Sequence, residues 1–193
     1  MSQYEDFTPS LSIHVTQCPR IVMINAIKTM VRQFLEQSNV WVYEVMPVQV
    51  DSEITQAFLQ IPQFSYIHKV WSLYGQNGVQ SYRHDKPKHH ITQDNQIVID
   101  ESIPSTTLNL IVSLSLNQNA LSCPDFIFEK YLDVIVHGSA HYLMMMANQQ
   151  WTNPDLAQYH YQQFIAGIEK AKSNVEKGFG LAHTVRRVRP QYL

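Results

Sequence analysis

Val134-Ile135-Val136-His137-Gly138-Ser139-Ala140-His141-Tyr142-Leu143-Met144-Met145-Met146-Ala147 is apolar on nearly every side when wound as a helix, and Trp151-Thr152-Asn153-Pro154 ends it. A helix of that kind is expected to be covered all round, either by its own fold or by neighbouring subunits. The methionine triplet supports this, because three flexible side chains pointing in different directions suit a surrounded helix.

The chain behind it reads as a second helix. Asn153 is the expected N-cap, Pro154 takes the first position, Asp155 faces the positive end of the dipole and Gly178 supplies the stop. Leu156, Phe164, Ile168, Ala171 and Val175 form the expected inner face, with Gln158, Gln162, Glu169, Lys172 and Glu176 outside. Gly138-Ser139-Ala140 on one helix and Ala166-Gly167 on the other predict an antiparallel hairpin with a tight crossing.

Toward the N-terminus, proline at the first turn and apolar residues Ile24, Ile27, Val31 and Leu35 at helical spacing predict a helix from Pro19 to about Gln37. Residues 1–17 are turn-rich and read as a lead-in that packs late. From Val40 the pattern turns to strands: Val40–Val45, stopping at Pro47, then Gln56–Ile61, Tyr66–Tyr74, Val79–Arg83, Gln96–Ile99 and Thr106–Leu116. In the last, Leu108, Leu110, Val112, Leu114 and Leu116 alternate with Asn109, Ile111, Ser113 and Ser115, which predicts one buried and one mostly wet face. Gln76-Asn77-Gly78 is a turn signal.

The expected fold is therefore α+β: a bundle of about three helices (1–39 plus 118–180), an antiparallel β insertion (40–117) between helix one and helix two, and an extended C-terminal arm (181–193).

At 193 residues with 45% apolar and 16% charged content, the chain is long enough for a core and too apolar for wholesale disorder. Fourteen basic against sixteen acidic residues give −2. Three of the basic residues lie in the arm, which has no acid, so eleven against sixteen leaves −5 in residues 1–180. The body is acidic and the arm basic. Two cysteines, each before a proline, suggest no disulfide framework and a reduced setting. Neither a signal peptide nor a bilayer-spanning run is indicated, so no membrane association is expected.

Candidate chemistry is sparse. His137 and His141 stand four apart with Asp133 one turn earlier, and His160 approaches from the next helix, a stripe that suits a metal. Without His-Glu-x-x-His, a polar seam between two helices is the preferred reading. His84, Lys86, Lys88, His89 and His90 have the composition of an exposed loop, for which plain solvation is the preferred reading and an anion or partner contact the alternative. Cys18 precedes a helix start, where a thiol is activated, but no histidine base accompanies it and burial is the preferred role. The strand aromatics are accompanied only by Lys69 and Arg83, too few cations for a nucleic-acid platform. Arg186, Arg187 and Arg189, with Pro190 and Tyr192, suit an arm that orders on a partner's carboxylates. No catalytic motif is found, and no cofactor or resident metal is assigned.

The Cys18-Pro19 helix with Phe34 and its Ser38-Asn39-Val40-Trp41 exit, followed by a β insertion, resembles the head-to-tail adaptor (connector) proteins of short-tailed bacteriophages. Tyr131, Ile135, Gly138-Ser139-Ala140, the Trp151–Ala157 junction, Tyr161, Phe164 and Gly167-Ile168 follow that family's order, so the likeness covers about 18 to 180. The resemblance implies a structural virion protein at the head-tail junction, assembled in the host cytoplasm into a ring of twelve subunits beneath the portal. It implies a DNA channel, a platform for tail nozzle or fibre proteins, and a C-terminal arm docked on the portal protein through Arg186, Arg187, Arg189, Pro190 and Tyr192. An acidic body suits a channel through which DNA slides, because luminal cations would hold phosphates. A monomer alone and a ring with the portal are expected, since the arm orders on docking. Two alternatives stand beside it: another neck or tail component such as a stopper or nozzle protein, and a His-liganded metal-dependent helical-bundle enzyme.

Overall fold

The structure, a computed structural model, describes residues 1–50, 56–75, 88–92, 94–99 and 106–184. Its longest strand pairings centre on the alternating leucine segment. Strand β7 (Thr106–Leu116) lies between β2 (Val42–Val50) and β4 (Ser65–Gly75), antiparallel to both. Three shorter strands, β3 (Gln56–Phe58), β5 (His89–Ile91) and β6 (Gln96–Ile99), make a second sheet in the order β3-β6-β5. A two-residue strand β1 (Ser2–Gln3) pairs with β8 (Ser122–Cys123). Leu108, Leu110, Val112 and Leu114 pack with Val45, Val50, Leu59, Leu73, Ile97 and Ile99 in one core.

Two expectations change here. β2 does not stop at Pro47 but runs through it, and its register with β7 shifts between Val45 and Val48. A proline lacks the N–H that the ladder needs, and a bulge is where a strand tolerates that loss. The alternate face of β7 is not wet either, since Asn109, Ser113 and Ser115 are all buried. The register of β4 with β7 shifts between Ile67 and Lys69 and again between Val70 and Ser72, with Trp71 at the latter bulge. The Trp71 indole N–H donates to Ser113 Oγ at 2.6 Å, and that hydroxyl donates to the Asn39 carbonyl at 3.0 Å. The polar face is thus roofed by an aromatic and by the end of a helix. Lys69 stacks its ammonium 3.9 Å above the Trp71 ring.

Four α-helices are described, one more than expected: α1 (Thr8–His14), α2 (Arg20–Ser38), α3 (Asp125–Met144) and α4 (Pro154–Thr184). The extra helix lies in the supposed lead-in. A 3-10 turn at Tyr4–Phe7 precedes α1, and Phe7, Leu11 and Val15 are fully buried, so this segment is core. α2 leaves through Asn39, whose positive φ of 54° and N–H bond to the Leu35 carbonyl close the helix. Ser38 donates to the Phe34 carbonyl and accepts from the Val40 N–H, so the Ser38-Asn39-Val40 exit is a built cap.

The chain divides into two compact units. One holds residues 1–3 and 31–124 and contains the sheets. The other holds residues 4–30 and everything from Asp125 onward, and contains α1, α3 and α4. Among the described residues no helix is long and apolar enough to cross a membrane.

Candidate functional site: a histidine seam in the helical unit

α3 and α4 form the tight antiparallel hairpin that their glycines predict. A Cβ placed on Gly138 would lie 2.7 Å from the Phe164 ring, and one on Gly167 would lie 2.5 Å from a Val134 methyl. The loop between the helices is closed by its own polar residues. Asn153 Oδ1 accepts from the Leu156 N–H at 3.2 Å as the N-cap, Asn153 N–H reaches the Met144 carbonyl, and Thr152 Oγ1 donates to the Met146 carbonyl.

Within the single chain α3 is not covered all round, since the helix ends at Met144 and the methionines divide. Met144 is buried and Met145 is 56% exposed, as is much of Tyr142. α4 in turn does not stop at Gly178 but continues to Thr184, so the first residues of the supposed arm are helical. With nothing near its Cα, Gly178 is an open position in a helix and carries no reversal of the chain.

The inner stripe of α4 is Ala157, His160, Phe164, Ile168 and Ala171, all buried, while Leu156, expected inside, is 40% exposed. Stepping back from Phe164 by four and seven residues reaches His160 and Ala157, so spacing outranks hydropathy at this end of the helix. His160 is consequently a histidine at a core position, 1% exposed.

Three imidazoles from three helices meet there. His160 and His137 of α3 face each other with their Nδ1 atoms 2.7 Å apart, and His14, the last residue of α1, brings its ring to 4.9 Å from His160 and 5.8 Å from His137. Tyr159 packs edge-on against His137. His141 stands apart, donating Nδ1–H to the Ala157 carbonyl at 3.1 Å and stacking beside Tyr161. The Nε2 atom of His160 is buried without a hydrogen-bond partner. Burial, reinforced by His137, His14 and His141, lowers the His160 pKa to about 4. Burial and then His14 lower that of His137, against a smaller opposing pull from Asp133.

Two ligands each 2.0–2.1 Å from one tetrahedral ion sit about 3.4 Å apart, so a 2.7 Å separation marks a hydrogen bond between rings. Among the described residues no group of three or more His, Cys, Asp or Glu is arranged to hold a metal ion, and Asp133 is exposed. The geometry is that of a polar seam in a helix pair. The sequence places His137, His141 and His160 near one another but not His14 and Tyr159, the first because residues 1–17 read as a turn-rich lead-in that packs late or wraps a neighbour.

Other candidate residues lie elsewhere. Cys18 is buried with its thiol pushed up by desolvation, the reverse of activation. His89 and His90 belong to β5 and pair with Ile99 and Val98, so this part of the expected loop is a strand, a pairing that composition concealed. Lys88 precedes it, exposed. Val79–Arg83 and the Gln76-Asn77-Gly78 turn lie outside the described residues, as do His84 and Lys86 and the arm residues Arg186, Arg187, Arg189, Pro190 and Tyr192. Comparison with known protein families and with curated proteins finds no match to this chain.

Proposed function

We propose that this chain is a structural virion protein, a head-to-tail adaptor that assembles as a ring beneath a phage portal, extends the DNA channel and carries the tail nozzle or fibres. One observation carries the reading: the residues on which the resemblance rests are those around which the helical hairpin is built. Gly138 admits Phe164, Gly167 admits Val134, and Asn153 caps α4 within the Trp151–Ala157 junction. Ser38 and Asn39 likewise build the exit from α2 toward the strands. A motif order that coincides with packing contacts marks shared architecture more than shared surface chemistry, and an adaptor's role is architectural.

The basic segment that begins after Thr184 is the portal-docking arm in this reading, its guanidinium groups suited to bidentate carboxylate contacts. Its ordering cost is met on docking, so the isolated chain sediments as a monomer and forms the ring with the portal. The test is a pull-down with the cognate portal, using the full chain and a chain truncated after Thr184. Retention of the full chain and loss of the truncated one, with unchanged circular dichroism, supports the adaptor. Failure of the full chain to bind points to a stopper or nozzle component, and a stable ring of isolated protein overturns the assembly order.

A further inference from the structure

We propose that the His14–His137–His160 cluster is an acid-sensitive latch, closed near neutral pH and opened on acidification, that fastens α1 to the α3–α4 hairpin. This goes beyond the adaptor reading and does not rest on it.

An Nδ1···Nδ1 hydrogen bond needs a proton on one ring and a bare lone pair on the other, so the accepting imidazole is neutral. An imidazolium carries protons on both nitrogens. Once both rings are charged, two N–H groups face each other at 2.7 Å and the bond is lost. The latch thus has a defined closed state, with at most one charge on the pair.

The surroundings make the second charge costly. His14 from α1 lies against both rings, and His141 on α3 is a further like-charge neighbour of His160. Asp133 on α3 is the carboxylate that acts on the cluster, and it is exposed and favours His137 alone. Tyr159 and Tyr161 of α4 offer aromatic faces, to His137 and His141 respectively. His160 Nε2 has no partner to stabilise an added proton's charge. Its depressed pKa follows from this enclosure.

Relief comes most readily by moving α1. α3 and α4 are locked by the glycine contacts and the short capped loop, whereas α1 is one short helix of seven residues ending at His14. Phe7 stacking edge-on to Phe128 at 5.2 Å anchors the start of this segment, so the opening is a swing of its His14 end that draws the buried Val15 out of the core.

Hydrogen exchange of the full chain, corrected for intrinsic rates, tests the latch between about pH 7.5 and pH 4.5. Protection of residues 7–15 is expected to fall roughly tenfold or more over that interval while residues 107–116 of β7 keep theirs. His160→Asn places an amide where Nδ1 lay, and its oxygen accepts from His137 in either protonation state. That variant is expected to hold residues 7–15 protected at the lower pH. His137→Asn makes the same exchange from α3 and serves where the first variant does not fold. Wild-type protection that is unchanged at acid pH, protection lost equally in β7, or a folded variant that opens at the wild-type pH overturns the proposal.

Discussion

The sheet unit and the helical unit each bury a line of polar side chains, and they differ in which groups they use. On β7 the buried line is Asn109, Ser113 and Ser115, covered by Trp71 and the end of α2. On α3 and α4 it is Ser139 and His160, with the half-buried His137 against His160 and His14 meeting both rings. Each has unsatisfied polar atoms, Asn39 Oδ1 and Ser72 Oγ beside the first line and His160 Nε2 within the second. Hydroxyls, amides and indoles stay neutral across the accessible pH range, whereas imidazoles take up protons within it. The same packing problem, solved with different side chains, yields one seam indifferent to pH and another that responds to it.

The largest expected effect comes from the backbone proximity that creates the helical seam. Gly138→Val forces branched carbons into the Phe164 ring, which is itself fully buried and cannot swing aside, and should cost roughly 3 kcal/mol by urea unfolding. Gly138→Ala combined with Phe164→Leu should recover part of a Gly138→Ala loss. Gly167→Ala should be milder, because Val134 is only partly buried and the gain in helix propensity of about 1 kcal/mol offsets the crowding. Equal costs at the two glycines would show that the crossing is looser than its geometry.

Acidification separates the two seams next. The His160 pKa is about 4 in the folded chain and about 6.5 when unfolded. Between those values the unfolded chain binds the proton and the folded one does not, so folding loses stability as pH falls from about 6.5 toward 4 and is level above that window. The loss is on the order of 2–3 kcal/mol, read as a lower urea midpoint in the helical circular dichroism signal. In the sheet unit Tyr66, near the polar face, is held by burial and by Glu36 above the usual phenol value, so its phenol stays neutral throughout. A helical midpoint that does not move with pH would sink the distinction.

Ser113→Ala probes the other seam. It leaves the Trp71 N–H without its acceptor and the Asn39 carbonyl without its hydroxyl donor, and should cost about 1–2 kcal/mol by the same amount at pH 7.5 and pH 4.5. A pH-dependent cost would mean that the sheet unit also contains a titrating partner.

Legibility in the sequence followed the reach of the cause. The alternation of β7 and the glycine pairing of the hairpin are local patterns, and both are present in the structure. The α+β class follows from them. What stayed hidden depended on distant segments. Ser113 looks solvent-facing until Trp71, 42 residues upstream at a bulge in β4, covers it, and His89-His90 looks like loop until Val98 and Ile99 supply a ladder. At the candidate site, His137 and His141 were visible as an i,i+4 pair, but pairing favoured His160 over His141, and the third ring came from a segment that composition described as a lead-in. His160 itself was within reach of a stricter rule. The stripe through Phe164, Ile168 and Ala171 extends back to it, and choosing Leu156 for its hydropathy instead obscured a polar residue in the core.

The smallest expected effect lies at the loop that sets the register of the helical seam. Asn153 Oδ1 caps α4 at the Leu156 N–H, while Thr152 joins the loop by accepting from the Gln149 N–H at 3.0 Å and donating to the Met146 carbonyl. Asn153→Ala removes the side-chain acceptor alone and leaves the backbone bonds to Met144 and from Ala157, so it should cost about 1 kcal/mol, with Asn153→Asp close to wild type. Because His160 lies two turns into α4, a frayed first turn loosens the end of the seam without breaking the Nδ1 pair. Asn153→Ala should therefore lower the urea midpoint at every pH and leave the shape of its pH dependence unchanged. A variant that also shifted the acid transition would tie the seam's protonation to the cap, and the helical unit would then respond to pH through its loop as much as through its histidines.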